Sequence, residues 1–457
     1  MLRTEHGKTI FCQVAESVAT THAKRAPGPK GTPLAGNMWS FWHDVFKMLL
    51  EGPGRYGDVV RFRVLRDVYH LIAHPDDIHQ VLVKDQKMFS RSAARSSQIL
   101  EAVTGKALLT LEGEEWQKHR RLCNPALGKR ALETGIESIL ASCESFPRKL
   151  REDGEFDVQS VMTSLTANIA GRTFFGSHGD WEEKKLEESI DAILSHHWRR
   201  IKSRSDLVHK LPGRSRRRFD RAMDYIGDVV DQIMSNENDE KSLLGRLQTA
   251  RSEGNKLSDE DIHNEIVTFL LAGHETTATA LLWAFYLLAK YPQWQEKISA
   301  EMTPLLQPEP DLESLRDAVQ TRHFICETLR LYPSVWLIER VALKDYELRG
   351  FEIPKGSTVI VSSLVTHRHP DFWDEPNHFY PERFGGEYPE GAYFPFSMGA
   401  HACIGRSFAL LEMQLILGEL LRQYRFEWAG EPFEPHFAVG ITLRMKERLA
   451  LKAVSTQ

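Results

Sequence analysis

The chain has 457 residues, of which 42% are hydrophobic and 26% are charged, an ordinary composition for a globular protein. Lys and Arg total 58 against 63 Asp and Glu, so the net charge of −5 gives no overall basicity that would indicate nucleic acid binding. The five cysteines are widely spaced and include no CxxC pair, which argues against zinc knuckles and a disulfide framework. A reducing, cytoplasmic compartment fits this pattern best.

Residues 1–26 are predicted to be an N-terminal extension. They lack the continuous apolar stretch of a signal peptide, and Ile10, Val14 and Val18 recur at the spacing of a short amphipathic helix. A Pro/Gly-rich stretch then begins at Pro27. Because no repeat or linker divides the chain beyond this point, we predict a single domain over 27–457.

The next elements along the chain predict a mainly α fold with a small β region. Residues 59–64 and 68–73 read as two strands joined by a short turn, and Pro75 then opens a helix. From about residue 114 to residue 331 the pattern is helical. Strand-like segments return at 341–350 and 357–364.

The longest predicted helix begins at a stretch resembling a capping box, Ser258-Asp-Glu-Asp261. Its pattern continues to Tyr291-Pro292, which corresponds to about 50 Å at 1.5 Å per residue. The apolar run 266–289 within it is long enough to span a bilayer. However, its centre is polar and no second such segment occurs, so we predict a buried central helix and no membrane anchor.

The polar centre of this helix reads Leu271-Ala-Gly-His-Glu-Thr-Thr277. Gly273 costs about 1 kcal/mol relative to Ala in a helix interior, and would let a flat ligand approach. Glu275 and Thr276 place an acid beside a hydroxyl. Two interpretations are about equally favoured here: a water-filled kink with Thr hydroxyls bonded back to carbonyls, or a proton relay into a buried site.

Two helical stretches carry same-face pairs. Glu327 and Arg330 are three residues apart and can form an ion pair. On the surface such a pair contributes little, whereas removing one partner of a buried pair costs about 3–5 kcal/mol. Arg383, in the stretch PERF, could join them. Trp116 and Arg120, four apart, suit ordinary packing or a site for a carboxylate ligand.

The stretch FPFSMGAHACIG at 394–405 isolates Cys403 among small residues. The cysteine could be a structural thiol, a nucleophile or a ligand to a soft metal. His401 is nearby as a base, but the loop has no strand-to-helix elbow or oxyanion site. Gly399 and Gly405 permit tight turns and close approach of a planar cofactor. Backbone N–H groups at the next helix N-terminus would stabilise a thiolate, which favours a ligand.

Together these stretches resemble the motifs of the cytochrome P450 family, and their order and separations agree over roughly residues 30–450. The matching positions are Phe396, Gly399, His401, Cys403 and Gly405 in the haem-binding loop, Ala272–Thr277 in the oxygen-activation motif, Glu327–Arg330 in ExxR, Pro381–Phe384 in the meander motif, and Trp116 with Arg120 in WxxxR.

The resemblance implies the cytochrome P450 fold, with the long central helix crossing the haem face at Ala272 and Gly273. Cys403 would be the axial thiolate ligand to the iron of haem b. The haem propionates would be bound by Trp116, Arg120, Arg340 and His401, where the family more often has Arg in place of His401. Glu327, Arg330 and Arg383 would form a structural ion-pair triad. Glu275 and Thr276 would deliver protons to dioxygen.

The implied activity is insertion of one oxygen atom from O2 into a C–H or C=C bond, with the other atom leaving as water. The segment after Cys403 is too short for a flavin or iron–sulfur domain, so we expect an external ferredoxin or flavodoxin with its reductase. A set of basic residues could form a face that receives this donor, or could simply be solvated. These residues are Lys118, Arg121, Lys129, Arg130 and Arg406. We expect a soluble monomer of bacterial type.

Two other uses of the same fold remain open, namely peroxide-driven oxidation or isomerisation without a redox partner, and a non-catalytic haem sensor. The presence of both Glu275 and Thr276 argues against them, because neither use requires staged protonation of O2.

By family position, the substrate pocket should be largely apolar and suit a fatty acid, a terpenoid or a steroid-like molecule. Its expected lining is part of 89–110 with Leu271, Ala272, Val335, Trp336, Leu337, Ile338, Val439 and Ile441. The run Arg199–Arg221 holds many Lys and Arg and is either a solvated face or a basic lid over this pocket.

Overall fold

The computed structural model describes residues 23–176, 181–203, 213–235, 242–252, 257–307, 309–389 and 391–456. The predicted N-terminal helix around Ile10–Val18 lies outside the described residues, as does the 204–212 part of the basic run.

Helices form most of the described chain, and the mainly α fold is confirmed. They are α1 (Met38–His43), α2 (Val45–Tyr56), α3 (Pro75–His79), α4 (Arg95–Thr104), α5 (Gly113–Cys123), α6 (Lys129–Cys143), α7 (Val158–Phe175), α8 (Glu183–Ser203), α9 (Arg214–Ser235), α10 (Leu243–Ser252), α11 (Asp259–Lys290), α12 (Gln293–Leu305), α13 (Val319–Leu331), α14 (Ser363–Thr366) and α15 (Arg406–Gln423). A π-helical segment, Gln80–Lys84, continues α3.

The strands are short and form small sheets. They are β1 (Lys24–Arg25), β2 (Val59–Val64), β3 (Asp67–Ile72), β4 (Phe89–Ser90), β5 (Glu155–Asp157), β6 (Ile338–Ala342), β7 (Tyr346–Leu348), β8 (Phe351–Ile353), β9 (Thr358–Val361), β10 (Tyr424–Trp428), β11 (Phe437–Ala438), β12 (Arg444–Met445) and β13 (Ala450–Ser455). The sheet orders are β2-β3-β9-β6-β4, β1-β8-β7, β10-β13-β5 and β11-β12.

The predicted strands at 59–64 and 68–73 are confirmed within one residue, and the two pair in antiparallel register from Val59↔Ile72 to Val64↔Asp67. The segment predicted as one strand at 341–350 is instead two strands, β6 and β7. Asp345 lies between them, and its carboxylate accepts the N–H of Lys355 at 2.8 Å, next to the paired ends of β7 and β8.

The central helix α11 begins at the predicted capping box. The Ser258 hydroxyl accepts the N–H of Asp261 at 3.0 Å, and the Asp261 carboxylate accepts the N–H of Ser258 at 2.8 Å. From Asp259 to Lys290 the helix has 32 residues, about 48 Å in length. It runs through the largest hydrophobic cluster of the described chain, as its apolar pattern predicts.

Helix α7 packs along the middle of α11. The Thr166 hydroxyl on α7 donates to the His274 carbonyl at 3.1 Å. This bond connects α7 to the backbone of the polar centre of α11. None of the helices in the described ranges is apolar over a length that would cross a bilayer.

Candidate active site

The loop that carries Cys403 is held by its own backbone. The Cys403 N–H donates to the Phe396 carbonyl at 2.9 Å, and the Ala402 N–H donates to the Gly399 carbonyl at 3.1 Å. Gly399 has φ 73°, a left-handed conformation that glycine adopts without steric cost. Gly405 directly precedes α15, so the cysteine lies at the N-terminus of that helix.

The Cys403 thiol is accessible, although it is partly desolvated by the protein around it. Its side chain is exposed to a solvent probe, yet burial raises the pKa of its thiol, while the N–H groups of Gly405 and Arg406 and the Arg120 charge oppose that rise. The donors around the sulfur would stabilise a thiolate ligand.

Replacing Gly399 by Ala is expected to lower the haem content of the purified protein. An Ala Cβ at this position would overlap the carbonyl oxygen of Leu82, in addition to the cost of left-handed backbone, about 1–2 kcal/mol. Gly350→Ala is the matched control, because Gly350 has φ 78° with no heavy atom near its Cβ position. The measurement is haem absorbance per protein for both variants. Equal haem content in the two would contradict a role for the Leu82 contact.

Helix α5 contacts the cysteine loop through Trp116 and Arg120. The Arg120 guanidinium donates to the Ala402 carbonyl at 2.8 Å. The Trp116 ring lies 4.3 Å from the His401 ring, measured between centroids. The structure therefore brings together Trp116, Arg120 and His401. Their motifs lie almost 300 positions apart in the sequence, and the family resemblance assigned all three to one site for the haem propionates.

Arg340 on β6 and Arg91, just after β4, complete a cationic cluster around His401. Burial lowers the pKa of each guanidinium to about 10. For Arg91, the nearby charge of Arg340 adds to this effect on the pKa. Sequence reasoning missed Arg91, because nothing in its neighbourhood distinguishes it from a surface arginine. Glu112 also lies near the cluster, but it is bound by the Ser90 and Ser92 hydroxyls at 2.8 and 2.6 Å.

His401 is the clearest indication that this cluster needs an anion. Its Nδ1 is buried and has no hydrogen-bond partner. Burial, followed by the charges of Arg91 and Arg340, lowers the pKa of the ring to about 3. Buried polar atoms are seldom left unpaired, and an anion placed among these groups would satisfy the ring nitrogen and offset the positive charge.

The central helix presents one accessible strip. Between Glu265 and Ala289, the residues that are not buried are Ala272, Gly273 and Thr276. Ala272 and Thr276 are four apart and share a face, and the Thr276 hydroxyl donates to the Ala272 carbonyl at 2.8 Å. These three residues are therefore the accessible part of an otherwise buried stretch of α11.

Gly273 has a packing role that the sequence did not indicate. A Cβ at this position would lie 3.3 Å from the Phe174 ring on α7, so the absence of a side chain allows α7 to approach α11 closely. The approach of a flat ligand at Gly273 stays a prediction.

The Glu275 carboxylate binds residues outside the accessible strip. Its carboxylate oxygen accepts the Thr442 hydroxyl at 3.0 Å and the Arg444 Nε–H at 2.9 Å. The Glu275 side chain is 5% exposed. Neither partner carries a local signal in the sequence, since each lies well over 100 positions away.

Glu327 and Arg330 form a fully buried bidentate pair on α13, with Nε to Oε2 at 2.6 Å and Nη2 to Oε1 at 2.8 Å. Arg383 donates to the same carboxylate at 3.1 Å, and the Tyr380 N–H at 2.9 Å. The Arg330 guanidinium also donates to three backbone carbonyls, those of His367, Pro376 and His378. Glu327 and Arg330 therefore form a buried ion pair, and not the surface pair that their spacing alone also allowed.

The predicted pocket residues differ in exposure. Leu271 and Trp336 are buried, and Val335 is 40% exposed. The Trp336 indole donates to the Gly440 carbonyl at 3.2 Å and its ring lies 4.9 Å from that of Phe46. The remaining predicted residues are partly buried: Leu337, Ile338, Val439 and Ile441.

The family model of cytochrome P450 matches residues 26–450, and the chain belongs to the cytochrome P450 family. Cyclooctatin synthase of Streptomyces melanosporofaciens is 28% identical over 426 residues, covering 90% of this chain and 92% of the relative. Cyclooctat-9-en-7-ol 5-monooxygenase of the same species is 29% identical over 413 residues, covering 87% and 88%. Pentalenene oxygenase of Streptomyces avermitilis is 26% identical over 417 residues, covering 88% and 91%. The protein is a cytochrome P450 monooxygenase, and its family implies a haem cofactor.

The residues present fit a haem. An accessible thiol at a helix N-terminus suits an iron ligand, and a cationic cluster with an unpartnered ring nitrogen suits carboxylate side chains of a planar cofactor. When bound, haem supplies the activation of dioxygen and its insertion into the substrate.

Proposed function

We propose that this chain binds haem b through Cys403 and inserts one atom of dioxygen into a lipophilic small molecule. The observation that carries the proposal is the accessible, desolvated thiol of Cys403 in a loop contacted by Arg120. Beside it lies the cationic cluster, in which the buried Nδ1 of His401 has no hydrogen-bond partner. Trp116, Arg120, Arg340 and His401 would hold the propionates. Arg91 is added to this set because its charge lies beside His401.

The substrate is proposed to be a hydrocarbon-rich small molecule. Two relatives carry names that specify oxidation of pentalenene and of an alkenol, cyclooctat-9-en-7-ol. The predicted pocket positions of this chain are mainly aliphatic, and apolar walls favour a ligand with little polar surface. Among the classes considered from sequence, these points favour a terpenoid over a fatty acid or a steroid-like molecule.

Electrons are proposed to come from a separate ferredoxin or flavodoxin with its reductase. Arg121, Lys129, Arg130 and Arg406 are exposed, and they lie on α5, on α6 and at the start of α15, next to the cysteine loop. An acidic donor would be attracted to such a face.

The activity is tested with a lipophile library, isotopically labelled dioxygen, NAD(P)H and a surrogate ferredoxin and reductase. We expect a product that carries one labelled oxygen atom and forms only with the complete electron-transfer chain. Product formed with hydrogen peroxide alone, and not with dioxygen and the reductase system, would support the peroxide-driven alternative instead. Haem binding without any oxidised product across the library would support a sensor.

Thr276→Ala is expected to keep substrate binding and electron uptake while diverting much of the consumed NAD(P)H to hydrogen peroxide. The Thr276 hydroxyl lies on the accessible strip, where it donates its proton to the Ala272 carbonyl and keeps its lone pairs free to accept a hydrogen bond from water. Proton delivery by positioned groups typically contributes about 10²–10⁴-fold to a rate. The measurement is product formed per NAD(P)H oxidised, with peroxide assayed in parallel.

Thr276→Ser is the matched control for this variant, because it keeps the hydroxyl and removes only the methyl group. We expect Thr276→Ser to retain most of the coupling between NAD(P)H oxidation and product. If Thr276→Ala keeps the wild-type ratio, the residue is a packing residue and protons arrive by another route.

A further inference from the structure

The carboxylate of Glu275 is held from outside its own helix. Thr442 and Arg444 belong to the segment that leads into and begins β12, and both donate to the same oxygen, Oε1. The Arg444 Nη2 also lies 2.8 Å from it. Three donors therefore converge on one oxygen of a carboxylate that is nearly fully buried.

The same guanidinium reaches a second carboxylate on α8. The Arg444 Nη1 lies 2.7 Å from Asp191 Oδ1, and Arg218 on α9 lies 3.0 Å from Asp191 Oδ2. Asp191 is 38% exposed, whereas Glu275 is 5% exposed. Arg444 thus bridges a buried acid on the central helix and an acid at the solvent side.

Asp191 borders a polar cleft of about 610 Å³. The cleft is lined by acids, cations and hydroxyls of α7, α8 and α9, among them Ser160, Glu187, Asp191 and Arg218. A polar cavity of this size holds water. Water in the cleft therefore has access to the outer end of the Glu275–Arg444–Asp191 chain.

Segment 442–444 is also fixed to α11 through Trp283 and to Ser334. The Trp283 indole of α11 donates to the Leu443 carbonyl at 2.7 Å, and the Leu443 N–H donates to the Ser334 carbonyl at 2.9 Å. The Ser334 hydroxyl in turn donates to the Thr276 carbonyl at 2.7 Å. One short segment thus binds the Glu275 carboxylate directly and is linked through Ser334 to the backbone carbonyl of Thr276.

Arg444 cannot pass on a proton itself, because a guanidinium is not deprotonated in proteins. Its chemistry is to keep a buried carboxylate charged and oriented. A carboxylate as buried as that of Glu275, deprived of its cation, is strongly disfavoured in the charged form. The titratable groups that face it are Arg444, with Asp191 behind, and its chain neighbour His274, which is neutral because burial lowers its pKa.

We propose that Arg444 is a positioning residue for proton delivery: together with Thr442 it holds the Glu275 carboxylate ionised and in one orientation, as the acid next to Thr276 in the central helix. This inference rests on the proposed function and adds the residue that holds its acid in place. Sequence motifs assign no role to Arg444 or Asp191.

The test compares Arg444→Met, Glu275→Gln and the double variant with the wild type. We expect each single variant to lower product per NAD(P)H several-fold and to raise peroxide correspondingly. The double variant should lose no more than Glu275→Gln alone, because both changes remove the same function. Arg444→Lys should restore part of the coupling, since it keeps a cation. Arg448→Met is the matched control, because Arg448 lies four residues further along the chain and pairs with Asp157 instead.

A second measurement does not depend on turnover. Infrared spectra of Arg444→Met should show the carbonyl band of a protonated, buried carboxylic acid that is absent from the wild type. The band should disappear when Glu275→Gln is added. Its absence from Arg444→Met would overturn the claim that Arg444 keeps Glu275 ionised.

Wild-type coupling in Arg444→Met, or additive losses in the double variant, would equally overturn the proposal. These outcomes are distinct from failure of the proposed function, in which the wild type itself forms no labelled product. Uncoupling of the same size in Arg448→Met would show that any change near the C-terminus has this effect, and would also count against a specific role for Arg444.

Discussion

Cys403→Ser is expected to abolish the red-shifted Soret band of the reduced carbon monoxide complex. That band reports a thiolate ligand, which donates electron density to iron in a way that a serine hydroxyl does not. Cys403 is the accessible thiol of a loop whose N–H groups and neighbouring Arg120 favour negative charge on the sulfur. The loss should therefore be complete rather than partial.

Cys143→Ala is the control for this experiment. Cys143 is a buried thiol on α6, and burial raises its pKa to a value at which it stays protonated. We expect the control variant to keep the red-shifted band, with only the modest loss of stability that results from removing a buried atom. A Cys403→Ser protein that retained the band would show that another residue binds the iron.

Glu327→Ala is expected to yield little haem-loaded protein. The change would leave the buried guanidinium of Arg330 without its counter-ion, and would also remove the acceptor for Arg383 and for the Tyr380 N–H. Breaking a buried pair in this way costs about 3–5 kcal/mol, which is a large share of the stability of a typical domain. The measurements are soluble yield, haem per protein and the midpoint of thermal unfolding.

Glu419→Ala provides a matched control for Glu327→Ala. Glu419 and Arg422 are also three apart on a helix and form two hydrogen bonds, at 2.6 and 3.1 Å, but their side chains are 13% and 24% exposed. Water can solvate the guanidinium that remains after this change, so we expect a much smaller loss. Normal yield and full haem content of Glu327→Ala would contradict a structural role for the buried pair.

The site has two sides with different roles. On one side, Cys403 and the cations around His401 would hold and orient the cofactor. On the other, Thr276 lies on the accessible strip while Glu275 is turned to Arg444.

Several features of the fold could be predicted from local sequence, because the interactions that produce them are local. The capping box at Ser258 joins residues three apart, and the strands at 59–64 and 68–73 result from alternation and a short turn. The extent of α11 results from an apolar pattern with no breaker before Pro292. The spacing of Glu327 and Arg330 likewise placed them on one face, although not whether that face was buried.

The family, the mainly α fold and the identity of the candidate cofactor and oxygen-activation residues were therefore determined by the sequence itself, through short motifs in a fixed order. The tertiary structure alone decided which charges meet. Arg91 joins His401, Ser334 binds the Thr276 carbonyl, and Arg444 bridges Glu275 to Asp191. The physical reason is that these contacts connect segments more than 50 positions apart, and any Arg, Ser or Asp on a surface loop carries the same local pattern. Only the tertiary structure places Arg444 of β12 between the buried acid of α11 and Asp191 of α8.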